Sequence, residues 1–266
     1  MTSPLREAYR QGLIDRDPTL KLESIQTNSK KIRGIITTSE LQAILRRLQG
    51  MRKDHAYLAV ALSAATGMRL GEIRALHKDS IEIVNELDTI VTVSESFAKK
   101  AGFKGTKGKK TRYVPLDRRI AEALIDFSKK NPFNNCLVFW SYSSSNHPIS
   151  ASHISEAFNE AVADIFEEAA DCKGQFVVLE NGDKIRKGEA MRKERNIVFH
   201  SLRHFYVSGL RGIVSETKLR LASGHQSEAM SDIYTHVTYE NLKDVAEASR
   251  NLVMLPENVD EFVLES

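Results

Sequence analysis

The chain has 266 residues, is 41% hydrophobic and 27% charged, and carries a net charge of +3 with a pI of about 8.7. That is enough apolar material for a real core, organised as one large domain with appendages or as two domains. Two cysteines, Cys136 and Cys172, give no disulfide framework, no apolar run approaches membrane-spanning length, and the N-terminus has no apolar signal region, so a cytoplasmic protein without a membrane partner is expected.

Residues 1–33 read as an appendage. Leu5 to Leu13 form a short helix that Asp15-Arg16-Asp17-Pro18 stops, and Thr27 to Lys31 is a polar, basic linker. Thr37 and Glu40 have the spacing of a capping box, and Leu41, Ile44, Leu45 and Leu48 follow at helical intervals, so a domain begins near Arg33. His55 to Ala65 is nearly all apolar and predicts a buried helix capped by Gly67. Arg69 then opens a second short helix with Glu72 one turn on. An ion pair between the two accounts for them as well as chemistry does.

The period then changes to two. Ser80 to Val84 and Thr89 to Val93 read as strands around a turn at 85–88, and Arg112 to Leu116 as a third. Ala98 to Lys110 holds six lysines and three glycines. From Ala98 to Arg119 there are nine basic residues and one acid, a local +8 in a chain whose total is +3. Such runs are usually solvated loops; here a mobile hairpin tip that touches a phosphate backbone is the functional reading. Asp117 caps a helix bearing Ile120, Leu124 and Phe127, and Ser152 to Ala170 is an amphipathic helix. Gln175 to Lys187 reads as a hairpin around Glu-Asn-Gly-Asp, Gly188 to Arg195 as a charged loop, and Glu240 to Met254 as a helix. The last twelve residues carry four acids and no base.

Phe199 to Tyr239 concentrates imidazoles, a guanidinium and a phenol. His200 and Arg203 lie three apart and share a helical face, His225 follows the glycine that ends a helix, and Tyr234 lies in a short apolar-flanked segment. A guanidinium and two imidazoles around one point favour an anion, with a phosphodiester the obvious candidate. His200 and His204 have the i,i+4 spacing of a zinc helix, yet no Glu follows His200 and no third ligand is evident, so no metal site is expected.

Five segments together resemble the catalytic domain of the tyrosine recombinases, the phage-integrase family. They are Thr66-Gly67-Met68-Arg69-Leu70-Gly71-Glu72, the stretch from Lys107 to Pro115, His200-Ser201-Leu202-Arg203-His204, Gly224-His225 and Ile233-Tyr234-Thr235-His236-Val237. The resemblance spans roughly Arg33 to Met254. It implies an α+β fold, mainly helical, with a small antiparallel β-sheet. It implies double-stranded DNA as partner and site-specific cleavage and rejoining that integrates or excises a mobile element. Tyr234 would attack phosphorus to form a 3′-phosphotyrosine, a covalent capture that conserves bond energy, so neither ATP nor another cofactor is expected. Arg69, Arg203, His200 and His225 would bind the phosphate oxygens, and Lys107 would protonate the leaving 5′-oxygen. Lys107 lies eight residues before Pro115, as in the family, among Lys104, Lys109 and Lys110. Glu72 would brace the cationic groups. Lys99, Lys100, Lys104, Lys109 and Lys110 would bind the DNA backbone.

By the same resemblance, residues 1–33 correspond to the last helix of a core-binding domain and its linker, 34–254 to the catalytic domain, and 255–266 to an acidic tail donated to a neighbouring protomer. A free monomer would assemble as a homotetramer on two DNA sites, associated with the nucleoid. A shortened DNA-binding protein without recombination and a type IB topoisomerase-like activity are the alternatives.

Overall fold

In a computed structural model, the described residues are 4–18, 34–105, 111–224 and 239–253. The chain divides into two compact units, Met1–Ile32 and Arg33–Ser266. In the first, helix α1 (Pro4–Arg10) ends short of the expected Leu13, and the Arg6 side chain donates to Asp17 at 3.4 Å.

The second unit is built around a helix with no polar face. Helix α3 (Asp54–Thr66) buries every residue from His55 to Thr66, so it must be covered on all sides. Helix α2 (Thr38–Gly50) covers one side with Leu41, Ile44, Leu45 and Leu48. Its start carries the expected capping box. The Glu40 amide donates to Thr37 Oγ1 at 3.2 Å and the Thr37 amide donates to Glu40 Oε2 at 2.9 Å, satisfying two otherwise orphaned donors. Each fully buried leucine on this face contributes about 2 kcal/mol of apolar burial.

Three strands flank the helices. β1 (Ile81–Ile83), β2 (Asp88–Val93) and β5 (Arg112–Asp117) form an antiparallel sheet in the order β1-β2-β5, with β2 and β5 paired from Asp88↔Asp117 to Val93↔Arg112. The lysine-rich stretch, read as a hairpin tip or a solvated loop, begins with a hairpin of its own. β3 (Glu95–Ala98) and β4 (Gly102–Gly105) form their own two-stranded hairpin, closed by Phe97 packed edge-on against Phe103 at 4.9 Å. β3 carries no lysine, β4 carries Lys104, and Lys99 and Lys100 fall in the turn between them.

Helix α5 (Arg118–Lys129) starts at the Asp117 cap, and α6 (Ala151–Ala169) at Ser150. The hairpin β6 (Phe176–Val178)–β7 (Lys184–Arg186) lies where the sequence places it. Arg186 anchors it on α6 through Asp164 and Glu167. Residues 188–195, expected as a loop, are instead within or at the end of helix α7 (Lys187–Glu194). The apolar stripe that would announce a helix is missing, because α7 buries only Gly188 and Arg192 and is held by ions. Arg192 pairs with Glu189 at 2.7 Å and donates to the Ile197 carbonyl at 2.7 Å. Helices α8 (Ser201–Leu210), α9 (Glu216–Ser223) and α10 (Tyr239–Arg250) enclose a second apolar cluster that includes Tyr206, Leu210, Leu219, Leu242 and Val245.

The end of α3 is fixed by Gly67, whose φ of 66° is left-handed and whose added Cβ would stand 2.6 Å from the Tyr206 ring. A Gly67→Ala chain should lose about 1–3 kcal/mol in denaturant unfolding. At the other end, the buried His55 ring engages the Trp140 carbonyl at 3.1 Å and the Tyr142 hydroxyl at 2.9 Å. Burial first, and then the charge of His153, pull its pKa down to about 4. The unfolded chain therefore takes up a proton below about pH 6.5 that the folded chain refuses, and stability falls as pH drops from there toward 4. The loss approaches about 3 kcal/mol at the low end. Urea midpoints measured across that range should show the slope, and a His55→Gln chain should lack it.

Candidate active site

The break after α3 delivers the first cluster. Met68 is buried, and Arg69 caps α4 (Leu70–Arg74) with its side chain 45% exposed. Its amide donates to Glu72 Oε2 at 2.8 Å, and its Nη1 donates to Glu72 Oε1 at 3.1 Å. The simple ion pair read from the sequence is therefore present. It is not the whole of Glu72's environment. Arg112, at the start of β5, donates from Nη1 to Oε1 at 3.0 Å and from Nη2 to Oε2 at 2.6 Å. Burial alone would raise the Glu72 pKa, but the hydrogen bonds and charge of Arg112, and then those of Arg69, hold it below the ordinary value.

Arg112 was not singled out by sequence. As the first residue of a strand that follows a lysine run, it reads as one more surface cation. The only available signal was that it faces inward by strand alternation, in step with Val114 and Leu116.

Arg203 lies in the first turn of α8 and is 1% exposed. Its Nη1 donates to the Gly67 carbonyl at 2.6 Å, while Nε and Nη2 have no hydrogen-bond partner among the described residues. Burial, and then the charges of Arg69 and Arg112, push its pKa down to about 9. A guanidinium in that position is costly unless an anion reaches it.

His200 is the exposed cap residue of α8, one turn before the buried Arg203 and in αR backbone like the helix itself. Its ring meets that of His204 edge-on at 5.1 Å. His200 and Arg69 line one cleft of about 360 Å³ together with Ser155, Asn159 and Phe199. Helix α9 ends at Gly224 with φ 70°, and the Gly224 carbonyl accepts from Arg69 Nη2 at 3.4 Å. The residue preceding His225 is thus tied to Arg69.

Lys99 and Lys100 are exposed in the β3–β4 turn, and Lys104 is exposed on β4 opposite Ser96. Lys107, Lys109, Lys110, His225 and Tyr234 lie outside the described residues. Among the described residues no group of three or more His, Cys, Asp or Glu side chains could hold a metal, and no helix is long and apolar enough to cross a membrane.

Tyr239, the other phenol of this region, is committed elsewhere. Its hydroxyl donates to Asp88 Oδ2 at 2.5 Å and accepts from Asn85 Nδ2 at 3.2 Å, and Arg250 also pairs with Asp88. Burial and the Asp88 bond raise its pKa, which makes it a latch of α10 on the sheet and a poor nucleophile.

In a mainly helical domain, Arg69 and His200 line one cleft, and the buried Arg203 feels the charges of Arg69 and Arg112, an arrangement suited to an anion such as a phosphodiester. Residues 35–241 match the Phage integrase family, and the chain belongs to that family, the tyrosine recombinases, which are DNA strand transferases. The tyrosine recombinase XerC of Pediococcus pentosaceus is 24% identical over 257 residues, covering 91% of this chain and 71% of that protein. XerC of Pelotomaculum thermopropionicum is 24% identical over 248 residues, covering 90% of this chain and 69% of that protein. In fold, the Tn1549 transposon integrase in complex with transposon right-end DNA is similar at a TM-score of 0.57 and 18% identity, over 93% of this chain and 75% of that one.

The unpaired donors of Arg203 have a measurable consequence. An Arg203→Met chain should be more stable than the parent, by about 1–3 kcal/mol in denaturant unfolding, because a buried cation with two unused donors is removed. Sulfate should raise the melting temperature of the parent more than that of the variant. A variant destabilised by a similar amount would mean that Arg203 is already satisfied in the free protein.

Proposed function

We propose that this chain cleaves and rejoins double-stranded DNA at defined sites through a 3′-phosphotyrosyl intermediate on Tyr234, and that it integrates or excises a mobile element. The observation that carries this reading is Arg203, buried with two donor groups unused, next to an Arg69 that is half in solvent. A scissile phosphate offers the acceptor oxygens that such donors bind.

In the proposed chemistry the Tyr234 oxygen attacks phosphorus as the bond to the 5′-oxygen breaks. An ordinary phenol has a pKa near ~10, so the cationic surround is needed at neutral pH. Arg69 and Arg203 bind the non-bridging oxygens through planar donor forks, and His200 and His225 add hydrogen bonds as charge builds there. Lys107 gives its proton to the leaving 5′-oxygen. The reverse attack by a 5′-hydroxyl restores the phosphodiester and frees Tyr234. Lys99, Lys100, Lys104, Lys109 and Lys110 grip the backbone around the site.

Residues 1–33 act as the last helix of a core-binding domain and its linker, residues 34–254 as the catalytic domain, and residues 255–266 as a tail donated to the next protomer of a tetramer on two DNA sites, at the nucleoid. The named relatives include a transposon integrase and XerC recombinases, which favours recombination over DNA binding without exchange or simple relaxation.

Nicked attachment-site DNA should trap a covalent adduct with the parent chain and with Tyr239→Phe, and none with Tyr234→Phe. EDTA should not slow the trapping; a strict metal requirement would contradict the mechanism. Lys107→Ala should lose cleavage by on the order of 10²-fold or more. A 5′-bridging phosphorothiolate, whose leaving group needs little protonation, should recover most of that rate. The same substrate should recover little for Lys104→Ala, whose defect is weaker binding with a smaller salt slope.

A further inference from the structure

We infer that Arg112 is a positioning residue for the reaction: by taking up the charge of Glu72 it leaves the positive charge of Arg69 available to the substrate phosphate. The inference rests on the reading of Arg69 as a phosphate-binding group.

Glu72 lies within one turn of Arg69 and is buried. Alone with Arg69, its carboxylate would neutralise that guanidinium and hold it away from any incoming anion. Arg112 prevents this by geometry. Only 5% exposed, it spans both carboxylate oxygens in a fork, at 3.0 and 2.6 Å. Arg69 gives the carboxylate one side-chain bond, at 3.1 Å, and keeps nearly half of its side chain in solvent. The bidentate, buried pair is the stronger one, so the negative charge is spent on Arg112. Glu72 then orients Arg69 without discharging it.

Arg112 also fixes the opposite wall. Its Nε donates to the Ala222 carbonyl at 3.2 Å, and Arg69 Nη2 reaches the Gly224 carbonyl at 3.4 Å. The two guanidiniums each take up one carbonyl at the C-terminal end of α9, where cations are favoured. A Cβ at Gly224 would meet the Arg112 guanidinium at 3.1 Å, so the chain before His225 is packed directly on Arg112. One buried side chain therefore joins the strand that follows the lysine stretch, the acidic brace, and the helix end that leads to His225. Too buried to touch DNA, Arg112 acts through its neighbours.

The test is single-turnover adduct formation on nicked attachment-site DNA, with folding checked by denaturant unfolding. In Arg112→Met, Glu72 keeps an ion pair with Arg69 and loses the one with Arg112, and adduct formation should fall by on the order of 10²-fold. Adding Glu72→Gln to the same chain frees Arg69 and should recover about tenfold of that loss, a non-additive gain. If Arg112→Met does not fold, Arg112→Lys serves: it keeps the charge but cannot fork, so adduct formation should drop several-fold and Glu72→Gln should again raise it. Wild-type rates in a folded Arg112 variant, or a double variant no faster than the single one, would overturn the inference. No adduct with the parent chain would instead overturn the reading on which it rests.

Discussion

One carboxylate with four donors holds this domain's site together. Glu72 Oε1 accepts from the side chains of Arg69 and Arg112, and Oε2 accepts from the Arg69 amide and from Arg112. The segments it joins are far apart in sequence: the turn after α3, the first residue of β5 and, through Arg112, the end of α9. A buried carboxylate is tolerated only when its lone pairs are filled, and here they are. Three guanidiniums, those of Arg69, Arg112 and Arg203, share this one compensating acid. The surplus of positive charge, part of it buried, is the property on which the proposed anion binding rests.

The apolar core sets the position of that cluster. Because α3 is buried on every side, its C-terminus cannot shift without disturbing α2, α5, α6 and α8. Gly67 turns the chain in the left-handed region, gives its carbonyl to Arg203, and leads within two residues to Arg69. A single turn thus holds one buried guanidinium by its carbonyl and places another at the cleft. Tyr239 and Arg250 clamp α10 onto Asp88 of β2, closing the small cluster beneath α8 and α9.

The parts of this design that are local in sequence could be read there. The Thr37–Glu40 box, the apolar run of α3, the Gly67 cap and the Arg69–Glu72 spacing each follow from one turn of helix, and each stands where expected. Features that depend on distant partners were not legible. Arg112 becomes a site residue only when β5 brings it to Glu72, forty positions away. Helix α7 lacks an apolar period because its contacts are ionic. The lysine run suggested a hairpin but not its bounds: β3 and β4 are four residues each, paired from Glu95↔Gly105 to Ala98↔Gly102. The cap position of His200 follows from where α8 begins, which the spacing to Arg203 alone does not fix.

The central claim is that Tyr234 becomes covalently joined to DNA. Trapping the protein on nicked attachment-site DNA, digesting both components and locating the attached nucleotide by mass spectrometry tests it directly. The expected result is a 3′-linked nucleotide on the peptide containing Tyr234. A nucleotide on any other residue, or a 5′ linkage, would contradict the account.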